Sequence, residues 1–157
     1  MARRKIVQVG DPILRKVCKP VEKFDGKLAE LIDDMIQTLD YAEGLGLAAP
    51  QVGVLRRIVV VETESGKVYE LINPKIVSWS GEQCEVEGCL SLPKKWGRTH
   101  RPRAVVVRAL DRNGQEVEYR GEDLLARAFC HEIDHLDGKM YVDLVEGGIH
   151  NVEEGEE

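Results

Sequence analysis

The segment Glu122-Asp123-Leu124-Leu125-Ala126-Arg127-Ala128-Phe129-Cys130-His131-Glu132-Ile133-Asp134-His135-Leu136 decides how this chain is read. Leu125, Phe129, Ile133 and Leu136 recur at the three- and four-residue spacing of one helix face, and Gly138 follows as a stop signal. The pattern predicts a helix from about Glu122 to Leu136. On it His131 and His135 stand one turn apart, about 6 Å at the backbone, so both imidazoles can converge on one metal ion. Glu132 is turned about 100° from His131, near enough to serve a water on such an ion without being a ligand. The third ligand then matters, because three protein ligands leave an open catalytic position and four close a structural site.

Upstream, Leu28, Leu31, Ile32, Met35 and Leu39 make a second amphipathic stripe over Asp25 to Tyr41, with Asp25 as N-cap and Gly44 beyond its end. Short β-branched runs follow at Ile58 to Val61, Val68 to Ile72 and Val105 to Ala109. The last is joined to Val117 to Tyr119 through Asp111-Arg112-Asn113-Gly114, a hairpin signal. The expected class is α+β: antiparallel strands around a central metal-binding helix, with an N-terminal amphipathic helix.

The 157 residues are one domain's worth, expected as a single catalytic domain over 1–146 and an acidic, disordered tail over 147–157. The formal net charge is −6, but four of the negative charges lie in the last five residues. The weak charge of the rest argues against a nucleic-acid backbone as partner. No apolar stretch is long enough to span a bilayer and Met1-Ala2-Arg3-Arg4-Lys5 does not open a secretory signal, so the expected location is cytoplasmic, away from membranes. Cys18, Cys84, Cys89 and Cys130 show no Cys-x-x-Cys pair and read as free thiols.

His100 lies in a basic stretch and His150 in the presumed tail, so neither is an attractive third ligand. Cys89, within Glu87-Gly88-Cys89-Leu90-Ser91-Leu92-Pro93, is better placed: a thiolate suits a borderline divalent ion, and the preceding glycine permits close backbone approach. Cys84 competes, since Cys84 and Cys89 with the two histidines would make a closed structural site. A third segment, Gly44-Leu45-Gly46-Leu47-Ala48-Ala49-Pro50-Gln51, reads alone as a helix cap and turn. Gln51 adds an amide donor that stays neutral at all pH.

Taken in order, Gly44 to Gln51, Glu87 to Ser91 and His131 to His135 resemble the three motifs of the peptide deformylase family. The likeness extends to Gly10-Asp11-Pro12-Ile13-Leu14-Arg15, Asn73-Pro74 and Arg101-Pro102, covering roughly residues 5 to 145. The resemblance implies a metal-dependent hydrolase that removes the N-formyl group from N-formyl-methionyl nascent chains borne by the ribosome, releasing formate. By it Cys89, His131 and His135 correspond to metal ligands and Glu132 to the general acid/base through which metal-bound water attacks the formyl carbon. Gln51 and the Leu90 N–H correspond to donors on the formyl oxygen. The peptide would pair as an added strand with backbone around Leu45, Gly46 and Gly88. Leu124 and Ala128, with His131, would line the methionine pocket, and Asp134 would support the site through Arg101. The ion implied is Fe²⁺, with Zn²⁺, Ni²⁺ and Co²⁺ also suited to the donors. Cys130 stands where the family often carries Gln. Three rivals are a metallopeptidase, a structural metal module using Cys84, and a formyl-group binder without catalysis.

Overall fold

The computed structural model describes residues 2–152. The elements run α1 (Gly26–Ala42), β1 (Gly46–Ala48), β2 (Ile58–Glu62), β3 (Val68–Ser80), β4 (Gln83–Cys89), β5 (Leu92–Arg101), β6 (Ala104–Leu110), β7 (Glu116–Glu122), α2 (Leu124–Leu136) and β8 (Val145–Asn151). The strands form a five-stranded sheet ordered β1-β2-β3-β6-β7 and a three-stranded sheet ordered β4-β5-β8. All strand pairs are antiparallel, as the α+β reading expects.

Asp25 caps α1 by accepting the Leu28 N–H at 3.0 Å. The helix buries Leu28, Ile32, Met35 and Leu39 against Ile58, Val60 and Ile72. Val59, Val61 and Leu71 face the other way and pack with Ala126, Phe129, Ile133 and Leu136 of α2. Strand β2 is therefore buried on both faces, which is why it reads as an unbroken apolar run rather than an alternation. The same burial makes α2 the central helix.

Five elements differ from the sequence expectation. Helix α2 starts at Leu124, because Glu122 still pairs with Ala104 in β7 and Asp123, at φ +53°, breaks the helical path. Gly46–Ala48 is an edge strand paired with Val59–Val61, where a turn was expected. Strands β4 and β5 had no hydrophobic signal: Glu85, Glu87, Lys94, Lys95, Arg98 and His100 crowd them, and their pairing supplies the order. The expected tail beyond 146 is also corrected, since Val145–Asn151 pairs with β5 and His150 stacks on Trp96 at 4.4 Å between ring centroids. The remainder of that tail, 153–157, lies outside the described residues. Among the described residues no helix is long and apolar enough to cross a membrane.

The end of α2 is fixed by a double backbone cap: Gly138 N–H donates to His135 O at 3.2 Å and Lys139 N–H to Asp134 O at 3.0 Å. Gly138 sits at φ +73°, and a Cβ there would lie 2.4 Å from Arg15 O. Gly138→Ala is expected to destabilise the fold by at least about 1–2 kcal/mol, the cost of the left-handed conformation alone. Urea denaturation checks this, and an unchanged midpoint would refute it.

Candidate active site

Two elements meet at the site. Helix α2 presents His131 and His135 on one face, and the hairpin joining β4 to β5 presents Cys89, the last residue before the two-residue turn Leu90-Ser91. Cys89 Sγ and one ring nitrogen each of His131 and His135 lie within 4.8 Å of one another, with Sγ 3.4 Å from His135 Nε2. Cys84 does not join them but lies beside His100 and Glu146, so the closed Cys84-Cys89-His131-His135 arrangement does not form. All four cysteines are free thiols.

Glu132 is buried beside this cluster, its Oε2 3.9 Å from His131 Nε2. Its Oε1 has no hydrogen-bond partner among the described residues, and burial pushes the carboxyl up to about 7. Gly46 explains how β1 can run past it: a Cβ on Gly46 would lie 2.7 Å from the Glu132 carboxylate. Burial and the neighbouring His131 push His135 down to about 3, leaving it the neutral imidazole a ligand must be.

Gln51 is held in one orientation. Its Oε1 accepts the Ala48 N–H at 2.9 Å, which turns Nε2 toward Ser91 Oγ at 3.0 Å and Cys89 Sγ at 3.5 Å. The N-terminal segment ties both sides together, Val7 N–H donating to Gln51 O and Val9 N–H to Ser91 O.

Behind His131 stands a residue the sequence reading missed. Glu87 Oε1 accepts from His131 Nδ1 at 2.8 Å, which leaves Nε2 free to face Cys89. The same carboxylate takes Arg101 Nε and Nη2 at 2.8 and 3.0 Å, and the Thr99 hydroxyl. Burial alone would raise its pKa, but the bonds from His131 and Arg101 prevail and hold it at about 2. Asp134 pairs with Arg101 at 2.6 Å, as expected, so it reaches His131 only through Arg101 and Glu87. Period-two alternation puts Glu87 on the same side of β4 as Cys89, but it does the same for exposed Glu85, so only the fold singles Glu87 out. Tyr141, also missed, is buried with its ring stacked 5.8 Å from that of His131.

A cleft of about 480 Å³ opens over the cluster. Leu45, Gly46, Gly88, Leu124 and Ala128 all line it, with Leu90, Cys89, His131 and Glu132. Strands β1 and β4 are each the edge of their sheet, so the cleft runs between two backbone edges.

Fold and cleft define a class, the α+β metal-dependent hydrolases in which a His-Glu-x-x-His helix faces a cysteine on a hairpin. The family model for polypeptide deformylase matches residues 3–148, and the chain belongs to that family, whose members are metal-dependent hydrolases that remove N-formyl groups from nascent polypeptides. A peptide deformylase of Caldicellulosiruptor bescii is 56% identical over 145 residues, covering 92% of this chain and 87% of that one. A crystal structure of a peptide deformylase from Legionella pneumophila superposes with a TM-score of 0.89 at 46% identity, covering 93% of this chain and 88% of that one. The Thermotoga maritima peptide deformylase gives 0.90 at 38% identity, covering 93% and 99%.

Proposed function

We propose that this chain removes the formyl group from N-formyl-methionyl peptides as they leave the ribosome in the cytoplasm. In this reading Cys89, His131 and His135 hold one divalent ion, Fe²⁺, and Glu132 is the general acid/base. The observation that carries it is the convergence of one thiol and two imidazoles within 4.8 Å beside a buried carboxylate, at the cleft. That donor set fits an open three-ligand site for a borderline divalent ion, and the unpartnered Glu132 Oε1 is a polar atom still awaiting a partner. When bound, such an ion supplies Lewis acidity that makes water nucleophilic near neutral pH and draws charge from a carbonyl oxygen.

The remaining work falls to the chain. Glu132 takes a proton from the attacking water and returns it to the departing α-amine, so water and the formamide become formate and a free N-terminus. Gln51 Nε2 and the Leu90 N–H donate to the formyl oxygen as it gains charge. The edges at Leu45-Gly46 and Gly88 pair with the peptide backbone, which gives affinity without reading sequence. Leu124 and Ala128, with His131, receive the methionine side chain, while Arg101 and Asp134 hold Glu87 and through it His131.

The test uses protein purified without air, with metal by elemental analysis and formate release from a formyl-methionyl tripeptide. Wild type is expected to carry one equivalent of metal and release formate, and Cys89→Ala to lose both. A wild type loaded in turn with iron, cobalt and nickel that releases no formate would overturn the reading. Gln51→Leu is expected to lower kcat about 100-fold, the scale of one lost oxyanion donor, with metal content kept. A kcat within threefold of wild type would remove Gln51 from that role.

A further inference from the structure

A second group of ligand-type atoms lies outside the cleft. Cys84 Sγ, a His100 ring nitrogen and a Glu146 carboxylate oxygen all fall within 4.8 Å of one another, with His100 Nε2 and Glu146 Oε2 at 2.8 Å. Each comes from a different strand. Cys84 on β4 is the direct register partner of His100 on β5, and Glu146 on β8 is the partner of Arg98, two residues from His100. Residues two apart on a strand share a face, and so do register partners, so all three side chains project from one side of the three-stranded sheet. His100 and Glu146 are exposed and Cys84 half-buried, so an ion can reach them from solvent.

We propose that Cys84, His100 and Glu146 form a second divalent-metal site, for Zn²⁺ or an ion of similar softness, that fastens β8 to the sheet. The donors are a thiol, an imidazole and a carboxylate, the mixed set a borderline ion prefers. An ion pair between His100 and Glu146 would not require the thiol. Zn–S bonds of about 2.3 Å and Zn–N bonds of about 2.0 Å place tetrahedral ligands about 3.5 Å apart, so atoms already this close need only side-chain adjustment. On binding, Cys84 releases its proton to solvent, and thiolate plus carboxylate neutralise the divalent charge. The site passes from the single negative charge of Glu146 to neutral, so the guanidinium of Arg98, on the same face, meets no net positive charge. The benefit falls on β8, an edge strand whose pairing with β5 breaks register between Trp96 and Arg98.

The full chain, preloaded with one equivalent of Zn²⁺, is titrated with more Zn²⁺, following metal retained after gel filtration and the imidazole resonances of His100. Wild type is expected to retain a second equivalent, with the His100 resonances shifting as it binds. Cys84→Ser and Glu146→Gln, which keep side-chain size, are expected to lose that equivalent while releasing formate at the wild-type rate. With Co²⁺ as the probe, the second equivalent should add thiolate-to-metal absorption that Cys84→Ser lacks. Retention of only one equivalent by wild type, or a second equivalent that survives both substitutions, would overturn the site.

Discussion

Glu132→Gln is expected to cut formate release by about 1,000- to 10,000-fold, the upper range for loss of a positioned acid/base, or about 4–5.5 kcal/mol of barrier. An amide of the same size keeps the cleft filled but takes no proton from water. The same substitution should not weaken the fold. Glu132 Oε1 is buried without a hydrogen-bond partner among the described residues, and burial pushes its carboxyl up to about 7, so ionised Glu132 is a cost to the folded state. The denaturation midpoint of the metal-free protein is therefore expected to hold or rise while activity collapses, the trade made where a site is built for chemistry. Metal content should stay at the wild-type level, because Glu132 is not among the three donors that converge. A variant that keeps more than a tenth of the wild-type rate would remove Glu132 from the acid/base role. A variant that loses its metal would make Glu132 a ligand instead.

The helices were legible because each carries its own evidence. The stripe on α2 and the His131, His135 spacing are local facts of sequence, and Asp25 declares the start of α1. Strands β4, β5 and β8 were not legible, since their order comes from cross-strand pairing between charged residues that look solvated one at a time. Glu87 shows the difficulty. Nothing local separates it from exposed Glu85, and only Arg101 and His131, 14 and 44 residues away, reveal a buried carboxylate. The aim of Gln51 is likewise invisible in its motif, because the Ala48 N–H fixes it from the backbone side. Cys84 and Cys89 stayed ambiguous for the related reason that ligand spacing along the chain says nothing about strand register. In the fold one faces α2 and the other His100 and Glu146.

Arg101→Leu is expected to destabilise the protein by about 3–5 kcal/mol, as removing one partner of a buried ion pair does. The side chains of Arg101 and Glu87 are 5% and 6% exposed, and they meet through a fork of two hydrogen bonds. Burial works against the Arg101 charge, but Glu87 and Asp134 prevail and raise its pKa above the ordinary guanidinium value. Without Arg101 the buried Glu87 carboxylate keeps only Thr99 and His131 as partners. Arg101→Lys should rescue little, since one ammonium cannot fork onto Glu87 and also reach Asp134. The double variant Arg101→Leu with Glu87→Leu separates folding from chemistry. It removes both buried charges and leaves only the partly exposed Asp134 without its partner, so much of the lost stability should return. Formate release should nevertheless stay 10- to 100-fold low, because His131 Nδ1 has lost the acceptor that orients its ring. Urea midpoints and formate rates on the three proteins decide the matter. If Arg101→Leu costs less than about 1 kcal/mol, the scale of an exposed pair, the network is not the buried support described. If the double variant regains full activity with its stability, Glu87 packs beside His131 without positioning it.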